Sequence, residues 1–117
     1  MNQDRILSMI GLATKAGYVV SGEFSVEKVI KSQKASLVII ADDASDRTKK
    51  NFADSCAYYN LPLVVYKDKE TLGHSMGKQF RASLAILDKG FADSLLKKFK
   101  ELSSSQVEII EGGSANA

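Results

Sequence analysis

Two adjacent carboxylates, Asp42 and Asp43, follow directly on the apolar run Leu37-Val38-Ile39-Ile40-Ala41. The carboxyl end of a buried strand in an α/β sheet is a common place for ligands to bind, and such a pair could hold Mg²⁺. Neither a GxxxxGKS/T loop nor a GxGxxG loop accompanies it, so no phosphate cradle is evident. Turn formation and helix capping account for the two aspartates equally well. The one histidine, His74, has no second imidazole with which to build a His-rich metal site and reads as a surface or packing residue. Cys56, the one cysteine, falls on the apolar face of a helical pattern, where a thiol serves as a small hydrophobe. With no nucleophile, no base and no cofactor loop to join them, these residues point away from catalysis. Neither a cofactor nor a metal site is expected.

What remains is chemistry for binding anions. Ser21-Gly22 ends an extended segment and opens a helical one, leaving free backbone N–H groups at the helix start. Lys28, Lys31 and Lys34 run along or just beyond that helix; Glu27 and Lys31, four residues apart, have the spacing of a surface pair. Arg47, Lys49 and Lys50 follow the Asp42-Asp43 loop, and Lys78 and Arg81 lie near Gly77. These three basic clusters make one surface only if the fold brings their loop–helix junctions together.

The elements that must do this alternate between helical and extended patterns. Ile6, Met9, Ile10 and Ala13 recur at helical spacing, stopped by Gly17. Tyr18-Val19-Val20 reads as a short strand, and Val26, Val29 and Ile30 as one face of the next helix. Leu37 to Ala41 is an uninterrupted apolar run, the pattern of a strand covered on both faces. Ser45 or Asp46 is placed to cap a helix bearing Phe52, Ala53, Cys56, Ala57 and Tyr59. Leu63 to Tyr66 reads as a strand, Lys69 to Met76 as a short helix, Ser83 to Leu87 as a strand. Ala92, Leu95, Leu96 and Phe99 mark a closing helix. Strands alternating with helices predict a three-layer α/β/α sandwich around a four-stranded mixed sheet. Residues 1–101 are expected to form the single domain and residues 102–117, rich in Ser and Gly, a disordered polar tail.

Composition sets the class of partner. All 16 basic side chains lie in the first 101 residues, against 12 of the 14 acidic ones. That mild basicity permits nucleic-acid binding without demanding it. No apolar run approaches the roughly 20 residues of a membrane helix. The polar start Met1-Asn2-Gln3-Asp4-Arg5 does not read as a signal peptide. A lone cysteine fits a reducing compartment, so a cytoplasmic location is expected.

Four stretches then acquire meaning together: Gly11 to Gly17 (GLATKAG), Gly22 to Lys28 (GEFSVEK), Lys34 to Ser45 (KASLVIIADDAS) and Leu72 to Lys78 (LGHSMGK). In this order and separation they resemble the kink-turn RNA-binding ribosomal proteins of the L-seven-Ae and L-thirty-e type, in particular the small bacterial YlxQ-like branch. The resemblance runs from residue 4 to about residue 100. It implies an α/β/α sandwich and non-catalytic binding of a sharply bent RNA helix built on tandem G·A pairs. It also implies an association with the ribosome or with translation.

By the same resemblance, Gly22, Glu23, Phe24, Ser25 and Lys28 enter the widened groove. Gly22 permits close backbone approach, Lys28 reaches a guanine edge or phosphate, and Lys31 reinforces the backbone contacts. Asp43, in the third stretch, joins the set. The loop from Met76 to Ala82 covers the unpaired nucleotides with Lys78, Gln79, Phe80 and Arg81, and Phe80 is placed to meet an extruded base. Better-studied members carry Asn-Glu where this chain has Phe24-Ser25. Phe24 cannot make amide hydrogen bonds to a base edge, so the change favours recognition through shape and phosphate. It also favours an alternative, a protein-interaction module that kept the fold and lost RNA affinity. A structured RNA, such as ribosomal RNA, is the expected partner of a monomeric protein, with a ribosomal or other protein as a further partner.

Overall fold

The computed structural model describes residues 4–110. Its elements in chain order are α1 (Arg5–Lys15), β1 (Val19–Ser21), α2 (Glu23–Lys31), β2 (Leu37–Ile40) and α3 (Asp46–Tyr58). They continue with β3 (Leu63–Tyr66), α4 (Lys69–Ser75), β4 (Ser83–Ile86), α5 (Lys89–Lys100) and β5 (Val107–Ile110). Local sequence sets most of the helix starts. The Asp4, Ser45, Asp68 and Asp88 side chains each accept a backbone N–H from the first turn of α1, α3, α4 and α5, the geometry of an N-cap. Only α2 begins without a side-chain cap, at Gly22.

The strands form one mixed sheet in the order β1-β4-β2-β3-β5. β2 and β3 run parallel, joined through α3; the other three pairings are antiparallel. Because side chains alternate across a strand, β2 divides its residues between two cores. Leu37 and Ile39, with Ala41 just beyond the strand, pack with Ile6, Ile10 and Ala13 of α1, Leu72 of α4 and Leu95 and Phe99 of α5. Val38 and Ile40 pack with Val26 and Ile30 of α2 and Phe52 and Cys56 of α3.

Two expectations need correction. The sheet has five strands, not four, and the fifth lies inside the segment expected to be a polar tail. Val107 to Ile110 pairs along the whole of β3, with Val107 opposite Tyr66 and Ile110 opposite Leu63. Without it, β3 would present its ladder groups and Val65 at an open edge, a costly arrangement. Residues 111–117 of that expected tail lie outside the described residues. The Glu27–Lys31 pair, in turn, does not form. Glu27 accepts a hydrogen bond from the Ser55 hydroxyl of α3 at 3.0 Å instead, leaving Lys31 without an acidic partner among the described residues.

Candidate nucleic-acid interface

The ends of β1, β2 and β3 and the start of β4 meet at one end of the sheet, and a chain of hydrogen bonds ties their loops together. The Gly22 N–H donates to the Ser83 carbonyl at 3.0 Å, and the Ala41 N–H to the Ala82 carbonyl at 2.9 Å. Arg81 is the centre of the arrangement. Its Nε donates to the Ser21 hydroxyl at 3.0 Å and its Nη1 to the Phe80 carbonyl at 2.7 Å, while its backbone N–H donates to the Lys69 carbonyl at 3.1 Å. Lys69 in turn donates its N–H to the Asp43 carboxylate at 3.0 Å. Gly22, Asp43 and Arg81, far apart in sequence, are thereby held at one junction.

Gly22 has φ +94° and ψ 149°, a region essentially reserved for glycine. A β-carbon there would meet no atom within 4 Å, so the backbone turn, not crowding, demands glycine. The same turn opens α2 with its first N–H groups uncapped, next to the Glu23 carboxylate. Glu23 thus puts an acidic residue in the first turn, at the positive end of the helix dipole, and the basic residues Lys28 and Lys31 lie in the last turn. Phe24, Lys28 and Lys31 form one outward stripe on α2 and line a shallow depression with Glu27 and Ser32. Ser25 is half-buried on the same first turn.

The second wall is the loop from Met76 to Ala82. It folds back over α4, with the Lys78 N–H donating to the Gly73 carbonyl at 2.8 Å. Gly73 makes that possible, because a β-carbon there would sit 2.4 Å from the Gln79 carbonyl oxygen. Lys78, Gln79 and Phe80 are exposed along this loop.

Of the three basic clusters, the structure joins two. Lys28 and Lys31 lie along the helix that starts at Gly22, and Arg81 is hydrogen-bonded beside it. Lys50 of the second cluster, Arg47 to Lys50, instead pairs with Asp54 at 2.9 Å, and Lys49 lies near Val65 and the Ser104–Glu108 segment on the β5 side. No group of three or more His, Cys, Asp or Glu able to hold a metal ion occurs among the described residues, Asp42 and Asp43 included. Asp43 acts instead as a brace between the loop after β2 and the start of α4. Sequence reasoning missed the parts played by Ser21, Lys69 and Gly73, since each acts through a contact with the loop after α4.

Cys56 is buried, and its thiol pKa is pushed up from 9.0 to about 12, first by burial and then by the Glu27 charge. A thiolate is the reactive form, so Cys56 is expected to resist alkylation at pH 8 until the protein is unfolded. Rapid labelling of the folded protein would contradict that. The sign of the linkage follows: the folded state favours the neutral thiol, so this contribution is complete below pH 9 and is lost as pH rises towards 12.

A glycine-opened helix with a lysine stripe, walled by a basic loop, makes a surface whose charge suits a polyanion. Residues 4–96 match the Ribosomal protein L7Ae/L30e/S12e/Gadd45 family, and the chain belongs to it. It is 42% identical over 88 residues to the RNA-binding protein YlxQ of Bacillus subtilis, covering 75% of this chain and 88% of that one. The YlxQ protein of Enterococcus faecium is 37% identical over 101 residues, covering 86% of this chain and 93% of its own. A solved structure from Bacillus halodurans C, a protein with unknown function, superposes with a TM-score of 0.79 at 34% identity, covering 81% of this chain and 96% of that one.

Proposed function

We propose that this protein binds structured RNA without catalysing a reaction, at a kink-turn or a similarly bent helix, and works in the cytoplasm in association with the ribosome or translation. The observation that carries the reading is the junction at which Arg81 bridges to Ser21, beside the Gly22 turn and the Lys28–Lys31 stripe. Membership of a ribosomal-protein family with RNA-binding relatives supports it. The scaffold is read as a three-layer α/β/α sandwich, a reading supported by the two core clusters that draw on different helices. Among the described residues no helix is long and apolar enough to cross a membrane.

In this reading Lys28, Lys31, Lys78 and Arg81 meet phosphates, the Gly22 turn lets the backbone approach the groove, and Gln79 and Phe80 cover unpaired nucleotides. Glu23, Ser25 and Asp43 shape the surface between them. Phosphate contacts set register and much of the affinity. Lys28→Ala is therefore expected to weaken RNA binding about tenfold and to lower the salt slope by about one contact. Lys97→Ala, on the outer face of α5, should change affinity less than twofold. Equal losses from both would show diffuse electrostatics and sink the site assignment.

One observation favours a second reading. Phe24, at the position where better-studied relatives carry asparagine, is 81% exposed, as it would be on a protein-docking surface. RNA affinity too weak to survive moderate salt would favour that reading.

A further inference from the structure

Phenylalanine is sorted sharply in this molecule. Of the five, Phe52 and Phe99 are in the core, and Phe91 is half-buried with its ring 5.9 Å from that of Tyr18. Phe24 and Phe80 are 81% and 60% exposed. No ring partner is found for either among the described residues. The exposed tyrosines differ on both counts: Tyr18 and Tyr58 carry hydroxyls, and each packs against another ring. A single exposed apolar side chain needs no explanation. Here the two unpartnered rings both stand at the junction closed by the Ser21–Arg81 hydrogen bond, Phe24 three residues beyond Ser21 and Phe80 next to Arg81.

We propose that Phe24 is a stacking platform for an unpaired base, so that the protein selects a flipped-out nucleotide beside the bend instead of reading a base pair through an amide. This inference rests on the RNA-binding reading and adds a determinant to it. The surroundings favour a nucleotide over a protein side chain. Phe24, Lys28 and Lys31 share one face at i, i+4 and i+7, with the lysines about 6 Å and 10 Å further along the helix axis. A base on the ring therefore leaves its phosphates among two lysines for which no ion pair is found among the described residues. Glu27, the acid in the same stripe, is drawn away to Ser55 at 3.0 Å, with its other oxygen buried, so its charge is turned from the phosphates. Every base has a π-face, so such a platform responds to whether a nucleotide is unpaired far more than to which base it carries.

The test uses the full chain and a labelled RNA with a three-nucleotide bulge beside tandem G·A pairs. The same RNA is also made with each bulged nucleotide in turn replaced by an abasic residue. Wild-type protein is expected to lose about tenfold in affinity at one abasic position, the effect of one base–aromatic stack. Phe24→Leu should lose a similar factor on the intact RNA and nothing further at that abasic position, since the two changes remove one interaction. Phe24→Trp should restore both responses. Unchanged affinity of Phe24→Leu for the intact RNA, losses that simply multiply, or tighter binding by Phe24→Asn would overturn the proposal while leaving RNA binding intact. Failure of wild-type protein to prefer the bulged RNA over a straight duplex would remove the RNA reading and this inference together.

Discussion

Gly73→Ala is expected to lower stability and RNA affinity at once. Two effects oppose each other at this position. Alanine favours the helix over glycine by about 1 kcal/mol, which would stabilise an open helical site. The new methyl, however, would lie 2.4 Å from the Gln79 carbonyl oxygen and 2.7 Å from its carbon, and backbone cannot swing aside as a side-chain tip can. Overpacking of this kind costs about 1–3 kcal/mol, so destabilisation wins unless the loop moves. If it moves, the bonds from Lys78 to Gly73 and from Arg81 to Lys69 lengthen, and Arg81 leaves Ser21. The expected result is a melting temperature about 5–10 °C lower, with RNA affinity about tenfold weaker because Lys78 and Arg81, the loop residues proposed to meet phosphate, lose their placement. Thermal melting and an RNA titration on the same preparation check both. A variant that melts and binds like the wild type would show that the loop is not seated on α4.

Ending the chain after Leu102 should have a still larger effect on the fold. That change removes β5, and with it the buried Val107 and the partly buried Ile109 and Ile110. Burial of such side chains is worth up to about 1.5–3 kcal/mol each, so a loss of about 4 kcal/mol is expected. The β3 ladder, freed along Leu63–Tyr66, becomes an edge open to another chain. Chemical denaturation should show a lower midpoint, and light scattering should show association. A truncated protein with an unchanged midpoint would mean that β5 adds nothing to β3.

β5 escaped the sequence reading for a physical reason. Val107-Glu108-Ile109-Ile110 sits between serine-rich and glycine-rich segments, and a four-residue edge strand gains its stability from the neighbour it pairs with. The family match also ends at residue 96, before β5 begins. By contrast, Leu37–Ile40 and Ser83–Ile86 were legible because central strands are apolar on both faces. The candidate site was half legible. Gly22 and the lysine spacing along α2 are local features, and spacing finds them. Arg81 bonding to Ser21 across 60 residues, and Glu27 turning to Ser55 across 28, are products of packing that no periodicity contains. Gly73 stood out as part of the Leu72 to Lys78 stretch, but its use did not, because that use lies in the backbone that passes over it.

The most direct test of the central claim is a titration of the purified protein into a labelled kink-turn RNA and a straight duplex of equal length, at two salt concentrations. At least tenfold tighter binding to the kinked RNA is expected, with the preference retained at the higher salt even as both affinities fall. Weak binding, equal for the two RNAs and gone at the higher salt, would contradict the central claim and leave only a basic surface.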